Sequence, residues 1–168
     1  IKMANVLLIS RNDIVKYTAL NGNVDVDKFI QFIYIAQQIH ILNYLGTDLL
    51  EKLKSDIAAT SLTGNYQTLV ETYVKPMLVH YSMVEYLPFS IITIGNQGVF
   101  KHQAENSTLI DQDELEKLIE SETKIAEHYA QRCVDYICNN SSLFPEYSSN
   151  TGSDVSPSSN INYSNWYI

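Results

Sequence analysis

The stretch Asn65 to Phe100 reads NYQTLVETYVKPMLVHYSMVEYLPFSIITIGNQGVF, and the rest of the chain is organised around it. Tyr66, Leu69, Val70, Tyr73, Val74, Met77, Leu78, Tyr81, Val84 and Leu87 recur at steps of three and four, the spacing of a buried helical face. Apolar residues on more than one side predict a central helix enclosed by others. Pro76 sits inside it, where a missing N–H and a clash one turn back cost about 3 kcal/mol, so a kink is expected. Leu87-Pro88 is expected to end the helix, because the residue before a proline is driven out of helical geometry. Ile91, Ile92, Thr93 and Ile94 then favour strand, Gly95-Asn96-Gln97-Gly98 reads as a turn, and Val99-Phe100 resumes the strand pattern. This predicts a β-hairpin at about residues 89–102, protruding from the helix end.

Upstream, Ser10 or Asn12 is placed to cap a short helix from Asp13 to Leu20, which Asn21-Gly22 stops. Asp25 or Asp27 starts a second helix whose body, Phe29 to Leu45, is apolar nearly all round and expected to be mostly buried. Gly46 ends it and Thr47 caps the next, Asp48 to about Ala59. Downstream, Asp111-Gln112-Asp113-Glu114 forms a capping box for a last helix reaching Cys138. Leu115, Leu118, Ile119, Ala126, Tyr129, Cys133, Tyr136 and Ile137 make its apolar stripe, and Glu116, Glu120, Lys124, Glu127 and Gln131 its opposite, polar face. Leu143-Phe144-Pro145-Glu146-Tyr147 closes the domain. The fold class that follows is mainly α: a small bundle of four to five helices with a long kinked central helix, a protruding hairpin and an extended C-terminal arm.

Composition draws a boundary near residue 147. Residues 1–147 read as one helical domain, and residues 148–168 as a polar arm. Eleven of the eighteen residues from Ser148 to Asn165 are Ser or Asn, too polar to bury a core of their own. The arm ends in Trp166, Tyr167 and Ile168, with the chain's only Trp, an aromatic tip suited to anchoring on another surface. The formal net charge of −8 also lies late in the chain. Residues 1–104 hold eight acidic and eight basic side chains, whereas residues 105–168 hold eleven acidic and three basic ones. Nothing here makes a basic footprint for nucleic acid or an anionic membrane. Twelve tyrosines suggest surfaces that meet other protein.

The residues that carry chemistry do not gather into a known pattern. His40 and His80 lie in apolar helices and read as core or interface residues, and no histidine has a metal-ligand partner at a recognised spacing. Glu116, Glu120, Glu122 and Glu127 read as a solvated face, because a di-metal bundle needs Glu-x-x-His pairs from several helices. Cys133 and Cys138 are five apart on one helix, on different faces, and read as reduced thiols. Asn106-Ser107-Thr108 and Asn140-Ser141-Ser142 match the glycosylation pattern but have no secretory leader before them and read as chance. No apolar run approaches the length of a membrane span. No enzyme, metal or cofactor is expected.

Several segments, in order and spacing, resemble the head–tail connector (adaptor or ring) proteins of tailed bacteriophages, most closely the ring proteins of crAss-like phages. These are Tyr44-Leu45-Gly46-Thr47-Asp48-Leu49-Leu50, Lys75-Pro76 with the tyrosines after it, Tyr86-Leu87-Pro88-Phe89, Gly98-Val99, and Asn140 with Leu143 to Tyr147. The resemblance covers about Asp13 to Tyr147 and leaves the Ser/Asn tail outside. It implies a virion structural protein without catalysis, made in the host bacterial cytoplasm and located in the phage neck. Copies would form a ring, a dodecamer in the family, against the portal protein and adjacent neck or tail rings, with DNA passing through the lumen. The apolar hairpin residues Ile91, Ile92, Ile94, Val99 and Phe100 would meet a neighbour, because a lone hairpin offers unpaired edges. Glu116, Glu120 and Glu127 either line the lumen, keeping DNA mobile by repulsion, or face outward. The rival reading is a soluble helical regulator or adaptor that binds a partner peptide between its helices.

Overall fold

The computed structural model describes residues 6–18, 26–95, 98–101, 110–151 and 154–158, with main chain alone at 26–28, 93–95 and 98–101. The architecture is mainly helical. In order come α1 (Arg11–Tyr17), α2 (Val26–Ala36), α3 (Leu42–Ala58), α4 (Gly64–Thr68), α5 (Lys75–Ser90), strands β1 (Ile92–Gly95) and β2 (Gly98–Lys101), α6 (Gln112–Asn139) and α7 (Pro145–Ser149). β1 and β2 pair antiparallel, with Ile92 opposite Lys101 and Gly95 opposite Gly98. Asn96, Gln97 and the segment 102–109 lie outside the described residues.

Helix α5 is the axis of the bundle. Met77, Leu78 and Val79 have no exposed surface. Its most extensive packing is against α6, and α2 packs against it separately. On the α6 side, the rings of Tyr73 and Tyr136 stack with centroids 4.2 Å apart. On the α2 side, Phe29 and Phe32 close on Tyr86 at 4.9 and 5.5 Å. Phe144, fully buried, packs edge-on against Tyr66 at 5.5 Å and near Tyr136, so the short closing segment plugs the end of the bundle.

Two helices pass through π turns. Between α4 and α5, Leu69–Val74 is π-helical and the Lys75 N–H reaches back five residues to the Val70 carbonyl. Pro76, in the first turn of α5, has no N–H to contribute and crowds the carbonyl one turn back. The wider turn just ahead of it is where that misfit is taken up, so the kink expected at Pro76 takes the form of a π turn. Between α2 and α3 a second π turn, Gln37–Ile41, carries the fully buried Gln37. Its Nε2 donates to the Val6 carbonyl and its Oε1 accepts from the Leu8 N–H, both at 3.0 Å, and so ties the N-terminal segment to the bundle.

Three expectations are corrected. Leu87-Pro88 does not end the central helix, which runs to Ser90. Pro88 is exposed, so its lost bond falls on the solvent side, and Phe89 holds the last turn by packing on Phe32 at 5.3 Å. The second helix is not mostly buried: Ile30, Tyr34 and Ile39 are exposed, because nothing among the described residues covers its outer side. In α6, Leu118 stands out of its stripe, 42% exposed. The other expected caps hold. Asp111 accepts from the Glu114 N–H at 2.8 Å while Glu114 reaches back to Asp111. Ser10 and Asp13 form the corresponding box at α1.

Candidate functional site

Two separate apolar faces flank α5. The α5 residues that meet α2 and its π turn (Tyr81, Glu85, Tyr86 and Phe89) lie nearly opposite His80, which meets α6. Each flanking helix has its own outer side. On α2, Ile30 and Tyr34 are one turn apart and exposed, with Ile39 beyond them at 49% and Phe89 on α5 at 47%. On α6, Leu118 and Ile125 are two turns apart and therefore on one side. Large apolar side chains left in water in pairs at helical spacing mark surfaces that another protein covers.

The acidic side of α6 is a different surface again. Glu116 and Glu120 are exposed, and by helical spacing stand roughly half a turn away from Leu118 and Ile125. Glu120 pairs with Lys124 at 2.7 Å, whose hydrogen bond and charge hold its carboxyl below the ordinary value. Glu127 differs: it is half-buried, and burial pushes its carboxyl up against the opposing pull of Lys124. Glu122 does not belong to a solvated face at all. Its carboxylate meets His80 Nδ1 at 2.8 Å in a partly buried pair that ties α6 to α5.

A third feature is the break at Gly46. Its φ of 75° and ψ of 166° interrupt the helix of residues 42–58 in a region that only glycine enters readily. The start of the tail is seated there. The Thr47 N–H donates to the Val155 carbonyl at 3.0 Å, the Val155 N–H to Thr47 Oγ1 at 3.0 Å, and the Ser158 N–H to the Asn43 carbonyl at 2.8 Å. Asn150 Oδ1 accepts from the Asp48 N–H at 3.4 Å, and its Nδ2 donates to the Val155 carbonyl at 3.2 Å. A Cβ at Gly46 would lie 2.7 Å from Pro157 Cδ.

The chain belongs to DUF6712, a family of unknown function. Its model matches residues 41–157, which takes in both the helix break and the tail segment seated on it. No curated protein and no solved structure matches the chain. Within this DUF6712 chain the expected site residues fall in different places. Ile91 and Ile92 are half-buried, and Ile91 packs on the core rather than standing free. The side chains of Ile94, Val99 and Phe100, and all of Trp166, Tyr167 and Ile168, lie outside the described residues.

The histidines form inter-helix pairs. His40 Nε2 meets Glu85 at 2.8 Å while its ring stacks on Tyr81 at 3.9 Å, and Tyr81 shares a hydrogen bond with Tyr44 at 2.9 Å. Burial foremost, and then that bond, pushes the Tyr81 phenol far up. His80 stacks on Tyr129. Cys133 is fully buried, which pushes its thiol up to about 12 and leaves it without thiolate character near neutral pH. Among the described residues no three His, Cys, Asp or Glu gather to hold a metal, and no helix is long and apolar enough to cross a membrane.

Proposed function

We propose that this chain is a structural ring subunit of a tailed bacteriophage, part of the head–tail connector between portal and tail through which the phage DNA passes. The observation that carries the reading is the pair of unlike apolar faces on opposite flanks of α5: Ile30 and Tyr34 on α2, Leu118 and Ile125 on α6. A ring closes through a head-to-tail contact, which needs two different patches on each subunit. A two-fold dimer needs only one patch that matches itself. The likeness of the segments from Asp13 to Tyr147 to connector proteins points the same way, and the acidic balance suits a part that lets DNA slide past without gripping it.

In this reading Glu116 and Glu120, on the side of α6 away from its apolar pair, are free to face a lumen. The protein's partners are copies of itself, the portal protein and the next ring, and its place is the virion neck. Native mass spectrometry of the purified chain, alone and mixed with the portal protein of the same virus, tests the proposal. A closed multiple of the 19.1 kDa subunit in either sample is the expected result. A chain that stays monomeric at high concentration and does not bind the portal would overturn it.

A further inference from the structure

The seat at Gly46 is built from main-chain groups that the helix break itself sets free. A helix end leaves carbonyls without partners and a helix start leaves N–H groups without them. Gly46 puts both within a few residues, so the Asn43 carbonyl and the Thr47 N–H present an acceptor and a donor to one extended segment. Residues 154–158 answer them chiefly with their own main chain. They contribute little apolar surface: Val155 and Pro157 are half-buried, and Asp154 and Ser156 are exposed. Recognition of this kind resembles strand addition, where backbone bonds hold the segment and side chains do little. It does not require that the segment come from the same copy.

The intrachain route to the seat is bent. Helix α7 ends at Ser149, and Asn150 then takes φ 22° and ψ 60°, a left-handed conformation for a residue other than glycine. Only there does the chain turn back toward Gly46.

We infer that in the assembled protein residues 154–158 of one copy occupy the Gly46 seat of the neighbouring copy, so that adjacent subunits are tied by exchanged tails. The inference rests on the ring reading above. Exchange keeps the main-chain bonds of the seat and relieves the turn at Asn150. A ring also holds the neighbour's tail at high local concentration, in place of the intrachain tether. An exchanged tail carries the Trp166-Tyr167-Ile168 tip across the subunit boundary.

Cysteine pairing reads this directly. Asn43 is exposed and Ser158 partly so, and the bond between their main chains brings the two positions close. In a Cys138→Ser background, which leaves only the buried Cys133, Asn43→Cys is made on one tagged chain and Ser158→Cys on another. The two are mixed, assembled and gently oxidised. Exchange predicts a disulfide between the two tagged chains, more than tenfold enriched over the same mixture kept dilute and monomeric. Assembled rings of the Asn43→Cys, Ser158→Cys double variant that yield only intrachain disulfide would overturn the exchange and leave the ring reading standing. A chain that forms no assembly, with or without portal, would overturn both.

Discussion

Helical structure is interrupted at Gly46 and again just before Pro76, and the two interruptions are repaired in opposite ways. At Pro76 the repair is local: six residues, Leu69–Val74, widen into a π turn and the helix continues to Ser90. At Gly46 the ladder breaks outright, and the orphaned groups find partners more than a hundred residues away, in the tail. A proline removes one donor, which neighbouring turns absorb. A glycine at φ 75° redirects the chain and frees groups at both helix ends, which only another segment can satisfy. Position along the chain therefore says little about how far the consequence of a break reaches.

Gly46→Ala should separate the two cases most strongly. The backbone conformation alone costs about 1–3 kcal/mol for a residue with a side chain. The Cβ also meets Pro157 Cδ at 2.7 Å, so the tail must leave. We expect a loss of about 2–4 kcal/mol in urea unfolding, together with rapid proteolysis in residues 150–158. An unchanged proteolysis pattern would show that the tail does not depend on the break. Gln37→Leu comes next, at the other π turn. It strands the Val6 carbonyl and the Leu8 N–H, and about 2–3 kcal/mol should be lost.

Pro76→Ala should do far less. If the π turn has absorbed the proline, the substitution changes stability by under about 1 kcal/mol, against the roughly 3 kcal/mol of an unrelieved mid-helix proline. A large stabilisation would mean that the π turn does not relieve it. The smallest effect concerns acid. Burial pushes the Asp13 carboxyl up, but hydrogen bonds from Ser10 and the Lys75 charge outweigh it and hold it below its ordinary 3.8. The folded state thus binds that proton more weakly than the unfolded chain. Its contribution is complete above 3.8 and fades as the pH falls through the lower folded value. Asp13→Asn should shift the acid limb of a pH–stability curve by only a few tenths of a kcal/mol, because the pair is largely solvent-screened.

Much of the fold was legible because its signals are local. The Asp111 to Glu114 box, the Ser10 to Asp13 box, the Gly46 break and the closing Phe144 each follow from a few adjacent residues. What escaped depends on distant partners. Nothing near Glu122 shows that His80, 42 residues back, takes it out of the solvated face. The apolar surround of α2 suggested burial on every side, yet too few helices pack on it to cover Ile30 and Tyr34. The docking of residues 154–158 is written in main-chain bonds, and a Ser/Asn-rich composition carries no trace of them.

The two faces were legible only as helices with surplus apolar residues, and they carry the central claim. The most direct test uses two one-faced variants, Ile30→Asp with Tyr34→Asp on α2, and Leu118→Asp with Ile125→Asp on α6. Each change removes apolar side chains whose burial is worth about 1.5–3 kcal/mol apiece. Under conditions where the unaltered chain closes into a ring, native mass spectrometry should find each variant monomeric. An equal mixture should give dimers, joined by the one intact contact, and nothing larger. Dimers of either variant on its own, or rings regained in the mixture, would contradict a head-to-tail contact between these two faces.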